Sequence, residues 1–146
     1  MNPANPENGM DIAFKKIEEA YEYVSAGPLH SHRALLDTTT GEVLLWSESN
    51  ELDEFPEVVD EARYLELPTR CELHLGKTLV ISFVESHIPE ARAEVLEMFA
   101  NRGPYPRFKN FLDRHSLVDK WYEFEGKETE RALRKWCGRK GLSFTG

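Results

Sequence analysis

The sequence predicts an α+β fold: an N-terminal helix, a small antiparallel sheet of three or four strands, and a helical C-terminal half packed on it. Three observations carry this. Apolar residues recur at helical spacing near the start, short runs of strand character flank an Asp/Gly turn in the middle, and helical spacing returns from Glu72 to the end.

Met1 to Met10 is rich in Asn and Pro and lacks apolar periodicity, so residues 1–10 are expected to form a disordered tail and 11–146 a single α+β domain. Asp11 suits an N-cap. Behind it Ile12, Phe14, Ile17, Ala20, Tyr21 and Val24 share one helical face, and Gly27-Pro28 ends the helix. Arg33–Leu36 and Glu42–Trp46 read as strands of a hairpin closed by Asp37-Thr-Thr-Thr-Gly41, whose Asp and Gly suit a turn with one residue at positive φ. Ser47 to Glu61 holds seven acidic residues (Glu48, Glu51, Asp53, Glu54, Glu57, Asp60 and Glu61) but lacks the alternating Asp/Asn positions and central Gly of a calcium loop, so it reads as a solvated loop. Arg63–Leu67 alternates like a third strand and stops at Pro68. From Glu72 to His87 a helix places Leu75, Leu79, Val80, Phe83 and Val84 inward, with Gly76 weakening an early turn. Pro89 restarts a helix with Ala91, Val95, Leu96, Met98 and Phe99 inward, which Gly103-Pro104 breaks.

The charge of the chain is unevenly distributed. Net charge is −8, yet residues 1–100 carry 7 Lys and Arg against 20 Asp and Glu, whereas residues 101–146 carry 11 against 6. Half of the aromatic residues (8 Phe, 5 Tyr and 3 Trp in all) also fall in that last third. Either the basic part pairs with the acidic part within the protein, or it offers a basic surface to an acidic partner. The acidic total argues against nucleic acid, because non-specific phosphate binding needs a positive field. Cys71 and Cys137 have no CxxC spacing and read as free thiols. No apolar run, Leu79-Val-Ile81 among them, comes near the length needed to span a bilayer. A soluble, cytoplasmic protein without a membrane partner is expected.

The basic aromatic segment holds the candidate site. In Tyr105 to His115, the residues Tyr105, Phe108, Phe111, Leu112 and His115 form one helical stripe, with Arg107 and Arg114 on one flank and Lys109 on the other. Gly103-Pro104-Tyr105-Pro106 sets a helix start there, beside Arg107. Arg107, Lys109, Arg114, Tyr105 and Trp121 are therefore the candidate ligand-binding residues. Trp121, Tyr122, Phe124 and Trp136 are either core or a stacking platform, and helical spacing favours core. Arg107, tight against the prolines, is expected to act as a partly buried strut, and Arg114 as an exposed contact. In the terminal helix Thr129, Ala132, Leu133, Trp136 and Cys137 form one face, with Arg131, Arg134, Lys135 and Arg139 opposite.

Gly103, Tyr105, Arg107-Phe108-Lys109, Leu112, Trp121-Tyr122-Glu123-Phe124 and Trp136 resemble the hallmark of the bacterial uncharacterised protein family UPF0158. Leu36–Val43 and Tyr64–Pro68 also resemble its pattern, so the resemblance spans roughly residues 11 to 144. Pro106 stands where that family often has a second basic residue. The resemblance implies no activity, cofactor or catalytic residue.

Three functions follow from the residues. The first is a non-catalytic recognition or regulatory module that binds an anionic ligand or an acidic protein segment near Arg107, Lys109 and Arg114. The second is an enzyme acting on phosphorylated or carboxylated small molecules, with His115 or His32 as base and Arg107 as oxyanion clamp. The third is weak nucleic-acid binding. His30-Ser-His32 puts two imidazoles on one face of a strand, but no HxxxH, HExxH or Cys pair completes a metal site. His74, His87 and His115 read as structural. No GxSxG, P-loop or GxGxxG is present, so no cofactor and no metal are expected.

Overall fold

A computed structural model of the protein describes residues 11–28, 30–48 and 55–146. The expected tail 1–10, and Glu51, Asp53 and Glu54 of the acidic loop, lie outside these residues. The chain is α+β, and it divides into two compact units: Met1–Leu73 with Ala132–Gly146, and His74–Arg131.

The sheet of the first unit is built on its middle strand. β2 (His32–Asp37) lies between β3 (Val43–Ser47) and β4 (Tyr64–Glu66), antiparallel to both. Ala34, Leu35 and Leu36 are all buried, so β2 reads as a continuous apolar run instead of an alternating one. The hairpin closes as its sequence requires. The Asp37 carboxylate accepts from Thr39 N–H at 2.8 Å and Thr40 N–H at 3.3 Å, and Gly41 takes φ 79, where a Cβ would be strained. Beyond Glu66 the ladder gains one more bond, Leu67 N–H to Ala34 O at 2.9 Å, and Pro68 stops it.

α1 (Phe14–Val24) packs on β2 through Phe14, Ile17, Ala20, Tyr21 and Val24, the face expected from its periodicity. Its start differs from expectation. Asp11 is not the N-cap, because Ile12–Ala13 form a short strand, β1, paired in parallel with β5 (Phe144–Thr145). That pairing joins residues at opposite ends of the chain, which local periodicity cannot register. It is fastened by side chains: Phe14 and Phe144 rings lie 5.3 Å apart, and the Arg134 guanidinium lies 4.2 Å over Phe14 while donating to Gly146 O at 2.7 Å. Arg134 is thus not on the solvent face of the terminal helix assigned to it by spacing.

The second unit is helical: α2 (Lys77–His87), a 3-10 turn (Pro89–Ala91), α3 (Arg92–Phe99), α4 (Pro104–Arg114) and the first part of α5 (Val118–Arg139). α2 begins at Lys77, not at Glu72. Gly76 takes a non-helical conformation (φ −93, ψ −119), and Glu72 is held in a preceding turn by reciprocal bonds: Thr69 N–H to Glu72 Oε1 at 2.8 Å, and Glu72 N–H to Thr69 Oγ1 at 3.1 Å. Leu79, Val80, Phe83 and Val84 are buried as expected, whereas in α3 only Val95 is fully so. The terminal helix is longer than its periodic end suggests, running unbroken from Val118 through Gly126 and Gly138 to Arg139. Leu133, Trp136 and Cys137 are buried in its last part, within the first unit.

The two cysteines are free, Cys71 exposed and Cys137 buried. Desolvation pushes the Cys137 thiol up to about 11, with the Arg134 charge only partly opposing. Native protein is therefore expected to react with a thiol reagent at Cys71 alone, Cys137 following only under denaturant. Two equally fast equivalents in the folded state would contradict this. No helix among the described residues is long and apolar enough to cross a membrane.

Candidate functional site

Gly103 (φ 65) turns the chain into α4 in the left-handed region, Pro104 occupies the first helical position, and Phe108, Phe111 and Leu112 form the buried seam. Beneath the seam lies an aromatic cluster. Trp121 meets Phe83 edge-on at 5.3 Å and Phe108 at 5.1 Å, and Phe124 closes on Phe83 at 5.4 Å. Trp121 is buried, 7% exposed, with its ring against Phe83 and Phe108. Tyr122, at 48% exposed, is the aromatic of that step which faces outward. Tyr105 sits at the rim, 41% exposed, its ring edge-on to Phe99 at 5.2 Å.

The exposed face of α4 runs along Pro106, Asn110 and Asp113. Arg107 and Arg114 border one edge, and Lys109 with Tyr105 the other. Arg107 is exposed and, among the described residues, has no ion pair or hydrogen bond, so it is not the partly buried strut expected from its position. At 100° per residue it lies about 90° from the centre of the buried stripe, which leaves its guanidinium in water. Lys109 is likewise exposed and unpaired among the described residues. Arg114 makes a long contact, 3.4 Å to Glu94, with both side chains half-exposed or more. His115 ends the helix with its ring 4.5 Å from Phe111. It lies eight positions after Arg107, about 12 Å along the helix axis.

The histidines flagged in sequence occupy a different constellation, within the first unit. The Ser31 hydroxyl donates to Pro28 O at 2.6 Å, and His32 Nδ1 lies 2.9 Å from Ser31 Oγ. Since the single Ser31 proton goes to the carbonyl, Nδ1 is assigned as the N–H donor and Nε2 as the bare acceptor. Tyr23 packs edge-on to the imidazole at 4.9 Å. A Cβ at Gly27 would lie 2.6 Å from both His32 Cε1 and Ser31 Oγ, so any larger residue would push these side chains apart. Beside His32, Arg33 grips Glu66 with two bonds, Nε to Oε2 at 2.6 Å and Nη2 to Oε1 at 2.8 Å, its guanidinium 5.0 Å over the Phe55 ring. No group of three or more His, Cys, Asp or Glu able to hold a metal occurs among the described residues.

Sequence reasoning missed Gly27, Ser31 and the Arg33–Glu66 pair. The Thr69-x-x-Glu72 capping box was readable as such in the sequence, but the pairing of β2 with β4, which brings Glu66 to Arg33, was not.

A three-stranded antiparallel sheet packed against α1, together with a helical unit bearing exposed cations on α4, makes this a helix-rich α+β protein. The chain belongs to the uncharacterised protein family UPF0158, whose model matches residues 8–145. Neither a curated relative nor a solved structure matches it.

Proposed function

We propose that the protein is a non-catalytic recognition module that holds an acidic protein segment along the exposed face of α4. The observation that supports this is that Arg107 and Lys109, exposed and unpaired among the described residues, border the two edges of one exposed helix face, with Arg114 beside Arg107. Cations bordering both edges of an exposed helix face attract an acidic chain and set its register, and the half-exposed Tyr105 adds an aromatic rim contact. A convex helix face suits an extended segment better than a small anion.

Reversing both charges, Arg107→Glu with Lys109→Glu, tests the reading. Binding of a hexaglutamate peptide, measured by fluorescence anisotropy at low salt, is expected to be lost while stability changes by less than about 1 kcal/mol. Retained peptide binding, or a collapse of the melting temperature, would refute it, the latter because the two cations would then be internal struts.

A further inference from the structure

The turn between α1 and β2 departs from ordinary folding economy at four points. Tyr23 Oη and Ser25 Oγ are buried without hydrogen-bond partners. His30 takes φ 68, a left-handed conformation uncommon outside glycine. Gly27 is pressed against His32. Such departures concentrate where a fold gives up stability for a site. Of these residues His30 lines a cavity of about 360 Å³, together with His32, which Gly27 and Tyr23 abut; the volume is inside the range of small-molecule sites.

The cavity is walled by His30, His32, Arg33, Glu66, Thr69 and Glu72, over an apolar floor of Val24 and Leu67. Its charges do not cancel. Arg33 and Glu66 satisfy each other through both carboxylate oxygens, which leaves the Glu72 carboxylate as the uncompensated charge. Glu72 Oε1 accepts from Thr69 N–H, and Oε2 has no partner among the described residues. His32 Nε2, with Nδ1 committed to Ser31, is a second open acceptor. Open acceptors, one net negative charge and an aliphatic floor match a protonated amine on a short alkyl chain, since an ammonium carries three donors and no acceptor. An anion would face the Glu72 charge, and a divalent cation would lack a third ligand.

We propose that this cavity binds a small alkyl ammonium ligand, with Glu72 and His32 taking the ammonium and Val24 and Leu67 the alkyl chain. The site is independent of the α4 face. The probe is 1,4-diaminobutane, titrated into the full chain while the five histidine Cε1–H resonances are followed by NMR, with His30→Gln and His32→Gln supplying assignments. Saturable shifts are expected for His30 and His32 and not for His74, His87 or His115. Glu72→Gln keeps an oxygen for Thr69 N–H but removes the charge, and it is expected to weaken binding at least about tenfold. Should Glu72→Gln fail to fold, His32→Gln serves instead, with the same expected loss read on the His30 resonance. The proposal is overturned if the diamine produces no saturable shift, if inorganic phosphate shifts the His30 and His32 resonances in its place, or if a natively melting variant binds as tightly as the wild type.

Discussion

Phe108→Ala is expected to destabilise the helical unit by about 3 to 5 kcal/mol, the usual cost of truncating a fully buried phenylalanine. Phe108 is 2% exposed, stacks on Phe111 at 6.0 Å, meets Trp121 edge-on at 5.1 Å, and reaches Phe99 at 6.2 Å. Its removal opens a cavity at the centre of the cluster and costs the edge-to-face contacts as well. Against a typical total of about 5 to 15 kcal/mol, this is enough to unfold a marginal protein at physiological temperature. Trp136→Ala, at a site 4% exposed in the first unit, is expected to lose a comparable amount. Thermal melts followed by far-UV circular dichroism read both. Wild-type melting in either variant would mean that its ring belongs to a surface platform instead of the core.

Asp37→Ala is expected to cost about 2 to 3 kcal/mol near neutral pH, hydrogen bonds to charged groups being worth roughly 1.5 to 3. The buried Asp37 carboxylate ties three elements at one point. It accepts two bonds from Arg63, Nη2 at 2.7 Å and Nε at 3.1 Å, and caps the hairpin turn through Thr39 and Thr40. The Arg63 hydrogen bonds lower its pKa to about 2, helped by the turn N–H groups and opposed by desolvation. An unfolded Asp titrates near about 3.9. The interaction is therefore fully present above that value and is lost as pH falls from about 4 through about 2, because the unfolded chain takes up the proton first. Denaturation midpoints of wild type and Asp37→Ala should converge over that window. A difference that stays constant down to pH 2 would show that Asp37 acts only by its packing.

The periodic elements were legible because their cause is local. α1, the β2–β3 hairpin, β4 and α4 all follow from apolar spacing, turn residues and proline positions within about a dozen residues of each other. Errors fall where the cause is remote. Ile12 looks helical by its spacing, yet it is drawn into a strand by Phe144 at the far end of the chain. Glu72 looks helical too, until Thr69 and Gly76 fix it in a turn of its own. For Trp121 helical spacing favoured core over a stacking platform, but which rings it meets, Phe83 and Phe108, is set by the packing of three helices.

By itself, the sequence determined the α+β class, the family, the buried stripe of α4 and the cationic edges that flank it, all of them properties of residue order over short distances. Only the tertiary structure decided which charges are satisfied. Arg33 finds Glu66 and Arg63 finds Asp37 across the sheet, Arg134 lies over Phe14, and Arg107 and Lys109 stay in water. The His32–Ser31 hydrogen bond and the Tyr23–His32 ring contact likewise exist only because the end of α1 and the turn after it bring Tyr23, Gly27 and Ser31 around His32. Ion pairing and hydrogen bonding act over a few ångströms, so they follow position in space, which a chain acquires only by folding.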